Sequence, residues 1–91
     1  MIDEILEDKI YNYTEELATV ENPQLGDTKT LVINDTYSIK AVYTETEEHE
    51  FVYEMILLSA DADEMVDSIY CNKTPEELED IVYFFIEEYN I

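Results

Sequence analysis

The sequence predicts an α+β fold: a three-stranded antiparallel meander with N- and C-terminal helices packed on one face. Three observations lead there. Apolar residues recur at three- and four-residue steps near both ends of the chain, and they alternate with polar ones in the middle. Of the 91 residues, 46% are apolar, enough for one modest core, so residues 1–91 read as a single domain.

The first helix is expected from Ile2, Ile5, Leu6, Ile10, Tyr13, Leu17 and Val20, which share one face and leave Glu4, Glu7, Asp8, Glu15 and Glu16 to water. Asn22-Pro23-Gln24-Leu25-Gly26-Asp27 holds the only glycine and one of two prolines, and ends it. Three strands follow. Thr28 to Asn34 alternates around Leu31 and Ile33, and Tyr37 to Thr44 places Tyr37, Ile39, Ala41 and Tyr43 on one face. Asn34-Asp35 between them suits a tight turn. Phe51 to Leu58 ends apolar on both faces, as a central strand does. Glu45-Thr46-Glu47-Glu48-His49-Glu50 is then an acidic hairpin tip.

Residues 59–71 admit two readings. Asp61 followed by Glu64 resembles a capping box, and Met65, Val66, Ile69 and Tyr70 suit a short extra helix before the last one. A fourth strand over Met65 to Cys71 is the alternative. The final helix has the plainest signals: Thr74 as N-cap, Pro75 at the first helical position and Glu77 to complete the box. Leu78, Ile81, Val82, Phe85 and Tyr89 form its face, which Tyr83, Phe84 and Ile86 widen. That width leaves monomer and homodimer both open.

Charge is the other signal. There are 24 acidic residues against four basic ones, Lys9, Lys29, Lys40 and Lys73, for a net charge of −20. Twenty charges on a globule roughly 30 Å across approach the linear density of duplex DNA, one per ~1.7 Å. Self-repulsion on that scale works against the compact state, and a positive partner would offset it. Direct nucleic-acid binding and an anionic membrane surface are both disfavoured, because four lysines have little to offer phosphates. The expected partner is a basic nucleic-acid-binding protein.

The chemistry of an enzyme is not expected. Gly26 is alone, so there is no phosphate-binding glycine loop. A Ser-His or Cys-His nucleophile would have to use His49, the single histidine, on an exposed tip. Cys71, the only cysteine, cannot form an internal disulfide and reads as a small core residue. Asp61-Ala62-Asp63-Glu64 begins like a calcium loop, but Met65 and Val66 stand where ligands are needed. No cofactor is expected. The acidic start Met1-Ile2-Asp3-Glu4 is unlike a secretory leader, and the longest apolar run is too short to span a bilayer, which points to the cytoplasm.

Partner-binding candidates are the tip residues Glu45, Glu47, Glu48 and Glu50, together with Asp61, Asp63, Glu64 and Asp67, which could join the tip in one acidic rim. Glu76, Glu77, Glu79, Asp80, Glu87 and Glu88 add charge along the last helix.

Three stretches resemble the phage uracil-DNA glycosylase inhibitor family of acidic DNA mimics: Lys29 to Thr36, Tyr43 to Glu50, and Met55 to Glu64. The resemblance implies that Asn34, Asp35 and Thr36 enter the enzyme's DNA groove, which adds Asp35 to the candidates, and that Met55 and Leu57 line an apolar pocket. That family has a helix between its first strand and the hairpin and ends in a strand; this sequence does neither. In element order and composition the chain is similar to small acidic anti-CRISPR proteins that cover the site where an RNA-guided nuclease reads its flanking motif. Both likenesses imply an inhibitor that fills a basic groove, acting in the host cytoplasm if phage-encoded. An immunity or antitoxin protein that neutralises a basic nuclease is the other reading of the same charge.

Overall fold

The computed structural model describes residues 4–59 and 64–91. The element order is α1 (Glu4–Thr19), β1 (Thr28–Val32), β2 (Tyr37–Glu45), β3 (Phe51–Ser59), β4 (Glu64–Cys71) and α2 (Pro75–Glu88). The strands form one antiparallel meander in the order β1-β2-β3-β4, so β3 is paired on both sides.

The fourth strand corrects the expectation of three. Residues 64–71 extend along β3 and do not form a short helix; Asp61, the expected cap of that helix, lies outside the described residues. The physical reason was present in β3. In a three-stranded meander β3 would have been an edge with a row of unpaired backbone groups, which residues 64–71 satisfy by pairing along it. A bulge lies where Leu58 pairs with Met65 while Leu57 pairs with Asp67, leaving Val66 as the extra residue. It moves Met65 to the face opposite Asp67, Ile69 and Cys71.

Both helices pack on one face of the sheet. α1 buries Ile10, Tyr13 and Leu17, and α2 buries Leu78, Val82, Phe85 and Ile86. Beneath them lie Leu31, Ile39, Ala41, Tyr53, Met55, Leu57 and Cys71, all in the same cluster. The register places Ile39 against Leu57 and Ala41 against Met55, so residues of one parity from every strand reach the core. Phe85 is fully buried, and truncating it to Ala is expected to cost about 3–5 kcal/mol. That is a large share of the ~5–14 kcal/mol typical of a domain this size.

Two details of the helices differ from expectation. Ile5 is 69% exposed, while Thr14 is buried, its hydroxyl donating back to the Ile10 carbonyl at 3.0 Å. At α2 the Glu77 amide donates to Thr74 Oγ1 at 3.3 Å, as a capping box requires. The Glu77 carboxylate, however, accepts from the Asn72 amide at 3.2 Å, two residues before the cap. Tyr83 and Ile86 pack into or against the core, so most of the width of α2 is used within the chain and Phe84 alone is left 44% exposed. None of the helices is long and apolar enough to cross a membrane among the described residues.

Candidate functional site

The β2–β3 tip is a closed, ordered loop. The Thr46 amide donates to the Glu50 carbonyl at 2.8 Å, the His49 amide to the Thr46 carbonyl at 2.9 Å, and the Glu50 amide to Thr46 Oγ1 at 3.2 Å. His49 adopts φ 66°, the left-handed conformation that lets so short a loop close. Glu45, Glu47, Glu48 and Glu50 are all exposed on it. His49 Nδ1 lies 3.9 Å from a Glu45 carboxylate oxygen, a surface contact and nothing tighter.

An aromatic ladder ties this tip to the core. The Tyr53 hydroxyl donates to the Leu17 carbonyl at the end of α1, at 3.2 Å. Tyr43 meets Tyr53 edge-on at 5.4 Å and stacks on Phe51 at 6.2 Å, one residue from Glu50. The carboxylates of the tip are therefore presented from a rigid base.

Of the remaining candidates the described ones, Asp35, Glu64 and Asp67, do not join the tip. An antiparallel meander puts successive turns at opposite ends, and the nine-residue β3 separates them by roughly 27 Å. Tyr37 pairs with Ser59 and Ser59 with Glu64, so the β1–β2 turn carrying Asp35 and the start of β4 at Glu64 share the far end. One continuous rim is thus replaced by two acidic ends. Asp61 and Asp63 lie outside the described residues. In the β1–β2 turn it is Asn34 that does the structural work, its Oδ1 accepting from the Thr36 and Tyr37 amides at 2.8 Å each, and Asp35 is left exposed.

Asp67 is not a free surface acid. It is half-buried on the helix side, where Oδ2 accepts from the Tyr89 hydroxyl at 2.9 Å and Oδ1 from the Ser68 amide at 2.8 Å. Its role in the fold displaces the interaction role expected of it. Met55 and Leu57, implied as pocket lining by the glycosylase-inhibitor resemblance, are fully buried under the helices and cannot line a partner's pocket.

Two of the four lysines have partners away from the acidic tip. Lys29 pairs with Glu16 beside a cleft of about 430 Å³ between α1 and β1, and Lys73 donates to the Val20 carbonyl at 2.6 Å, closing the end of α1. Lys40 sits mid-strand in β2 on the face away from the helices. Among the described residues no group of three or more His, Cys, Asp and Glu side chains is placed to hold a metal ion.

Burial moves several protons. It pushes the Cys71 thiol up to about 11, with Glu77 and Asp80 adding to the effect, and raises the Tyr13 and Tyr53 phenols. Tyr89 is raised chiefly by the hydrogen bond it donates to Asp67.

With this geometry in place, comparison adds no relative: no family model matches the chain, and no curated protein or solved structure does.

One surface escaped the sequence reading. On the sheet face opposite the helices the register collects Val32, Val42, Ile56, Leu58, Met65 and Tyr70, with Lys40 and Glu54 as the charged members. Val32, Met65 and Tyr70 are 61%, 59% and 62% exposed. The apolar even-numbered positions of β3 were its signal in the sequence, but only the strand order and the side taken by the helices give it meaning.

Proposed function

We propose that the chain is an acidic decoy that occupies the positively charged nucleic-acid groove of an enzyme such as a CRISPR nuclease or a DNA repair or restriction enzyme. The observation that carries this reading is charge on a folded body: −20 over a long axis of 36 Å. A DNA duplex of that length carries about 21 charges. The backbone that carries the tip carboxylates is held by hydrogen bonds and an aromatic ladder, so a partner would not have to order the loop on binding. Likeness to an acidic inhibitor family in three stretches supports the same reading, apart from Met55 and Leu57; the likeness in element order rests on three strands and does not extend to the fourth.

The test is displacement. A purified CRISPR nuclease complex, a uracil-DNA glycosylase and a restriction nuclease are each titrated with the protein, and retained duplex binding is measured. Competition with DNA for at least one of them, with affinity falling more than about tenfold between 0.05 and 0.2 M salt, is the expected result. Binding indifferent to salt up to ~0.5 M would sink an electrostatic decoy.

A second reading, an immunity protein against a basic nuclease toxin, is favoured by the apolar sheet face, since such pairs need a desolvated hot spot as well as charge. It is separated from the first by inhibition of nuclease activity without competition for the DNA groove.

A further inference from the structure

We infer that the open face of the β-sheet is a docking surface for the basic protein partner, a sparsely charged and half-apolar face held between two acidic ends. The inference rests on the decoy reading and adds to it where the partner sits and what its surface must look like.

An antiparallel sheet with one face in water ordinarily carries polar side chains there. Here the cross-strand rows run Val32–Ser38–Leu58–Met65, Thr30–Lys40–Ile56–Ser68 and Thr28–Val42–Glu54–Tyr70. One ammonium and one carboxylate leave those rows neutral, although the chain as a whole is 31% charged with a six-fold excess of acid. The sequence loads acids onto the helices and the turns and spares this face. A face with few charges, Lys40 and Glu54 on its two central strands, and with Met65 and Tyr70 exposed on its edge strand matches the enrichment in Met and aromatic residues found at protein interfaces.

The occupant follows from charge. Two copies docked face to face would bring −20 against −20 with only Lys40 from each copy to oppose it, so a second copy is disfavoured. A basic partner meets favourable charge at both margins: Glu47, Glu48 and Glu50 at one end, Asp35 and Glu64 at the other. Strands of five, nine, nine and eight residues about 4.8 Å apart offer roughly 450 Å². The whole face lies within the ~300–600 Å² of the largest patch on an ordinary monomer and falls short of the ~800 Å² each partner gives to a stable interface, so the acidic ends must share the contact. The partner surface that fits is an apolar patch flanked by two Lys/Arg clusters about 30 Å apart.

The experiment uses the full chain and the same three enzymes, with Kd measured at 0.1 and 0.5 M salt. Met65→Ala with Tyr70→Ala is the principal variant and Val32→Thr a milder one; all three side chains are exposed, and thermal melts check the fold. The expected result is at least tenfold weaker binding for the double variant, a smaller loss for Val32→Thr, and an unchanged salt dependence. If the face variants bind as the native chain does, with steep salt dependence, the docking face is wrong while the decoy reading stands. If the native chain binds none of the three, the decoy reading fails and takes this inference with it. A concentration-dependent dimer in sedimentation that the double variant dissolves would overturn the inference in favour of a second copy.

Discussion

Tyr89 donates its hydroxyl to Asp67 at 2.9 Å, joining the last turn of α2 to the middle of the edge strand β4 across 22 residues of sequence. The bond lies where the Val66 bulge has just re-aimed the strand, and it gives a half-buried carboxylate the donor it needs. Tyr89→Phe keeps the ring and removes only that donor. The variant is expected to unfold at lower urea concentration than the native chain with an unchanged m-value. Asp67→Asn, which can still accept from the hydroxyl, is expected to lose less. Equal midpoints for the native chain and Tyr89→Phe would remove the bond from the account of stability.

That pair also shows where sequence reading stops. The helices were legible because their apolar spacing and the Thr74-Pro75-Glu77 start are local signals, β1 and β2 because they alternate, and β3 because it ends in a continuous apolar run. β4 was hidden by its own bulge: with one extra residue, Met65 and Val66 stand side by side and the period of two disappears, leaving a pattern that also fits a helix. The acidic tip could be read from six adjacent residues. The fate of Asp67 depends on a residue 22 positions away, and the open face depends on which side of the sheet both helices take; neither is written in any short stretch.

Alkaline pH is expected to destabilise the fold, and the sign follows from the raised protons. Cys71 keeps its proton in the folded state up to about 11, whereas its ordinary value is 9.0. Tyr13, Tyr53 and Tyr89 are raised above 10.0 in the same direction. Between these limits the unfolded chain binds fewer protons, so stability is fully present below pH ~9 and is lost as pH rises through the folded values. Urea midpoints at pH 7, 9 and 10.5 under reducing conditions check this. Cys71→Ala should lower the midpoint at pH 7 through lost packing, yet flatten its decline from pH 9 to 10.5. A decline as steep as that of the native chain would mean the thiol contributes nothing to it.

His49 holds φ 66° in the tip, a conformation that costs a residue with a Cβ roughly 1–2 kcal/mol and glycine almost nothing. Its contact with Glu45 at 3.9 Å is exposed and offsets little of that. His49→Gly is therefore expected to stabilise the chain by up to about 1 kcal/mol, since glycine also loosens the unfolded state. Chemical denaturation measures it directly; a loss of stability would show that the imidazole holds the loop in some other way.

The two acidic ends make a positional prediction about binding. Glu47→Lys with Glu48→Lys changes charge by the same amount as Glu87→Lys with Glu88→Lys, and all four side chains are exposed. The first pair sits on the rigid tip at the margin of the open face; the second sits at the end of α2, where lysines also suit the helix dipole. The tip pair is expected to weaken binding to a basic partner by at least about tenfold at 0.1 M salt, chiefly through slower association, and the helix pair by much less. Association and dissociation rates separate the two. Equal losses would mean that the partner responds to total charge and that the tip has no special place.

Salt should act on the fold and on the complex with opposite signs. With 24 acids and four lysines, attraction within the chain is limited to a few contacts such as Lys29 with Glu16, and repulsion dominates the rest. The molecule measures 36 × 26 × 18 Å. At 0.01 M salt the screening length is about 30 Å, so each carboxylate interacts with nearly all the others; at 0.15 M it is about 8 Å and only neighbours remain. Raising salt over that range is expected to lift Tm by about 5 °C or more, the equivalent of roughly 1 kcal/mol in a domain of this size. The same change should release a basic partner. A Tm that falls with salt would show that the acids are balanced within the fold, leaving no excess field for a partner to use. A Tm that rises while the complex dissociates is what a fold strained by its own charge, and relieved by a cationic groove, must do.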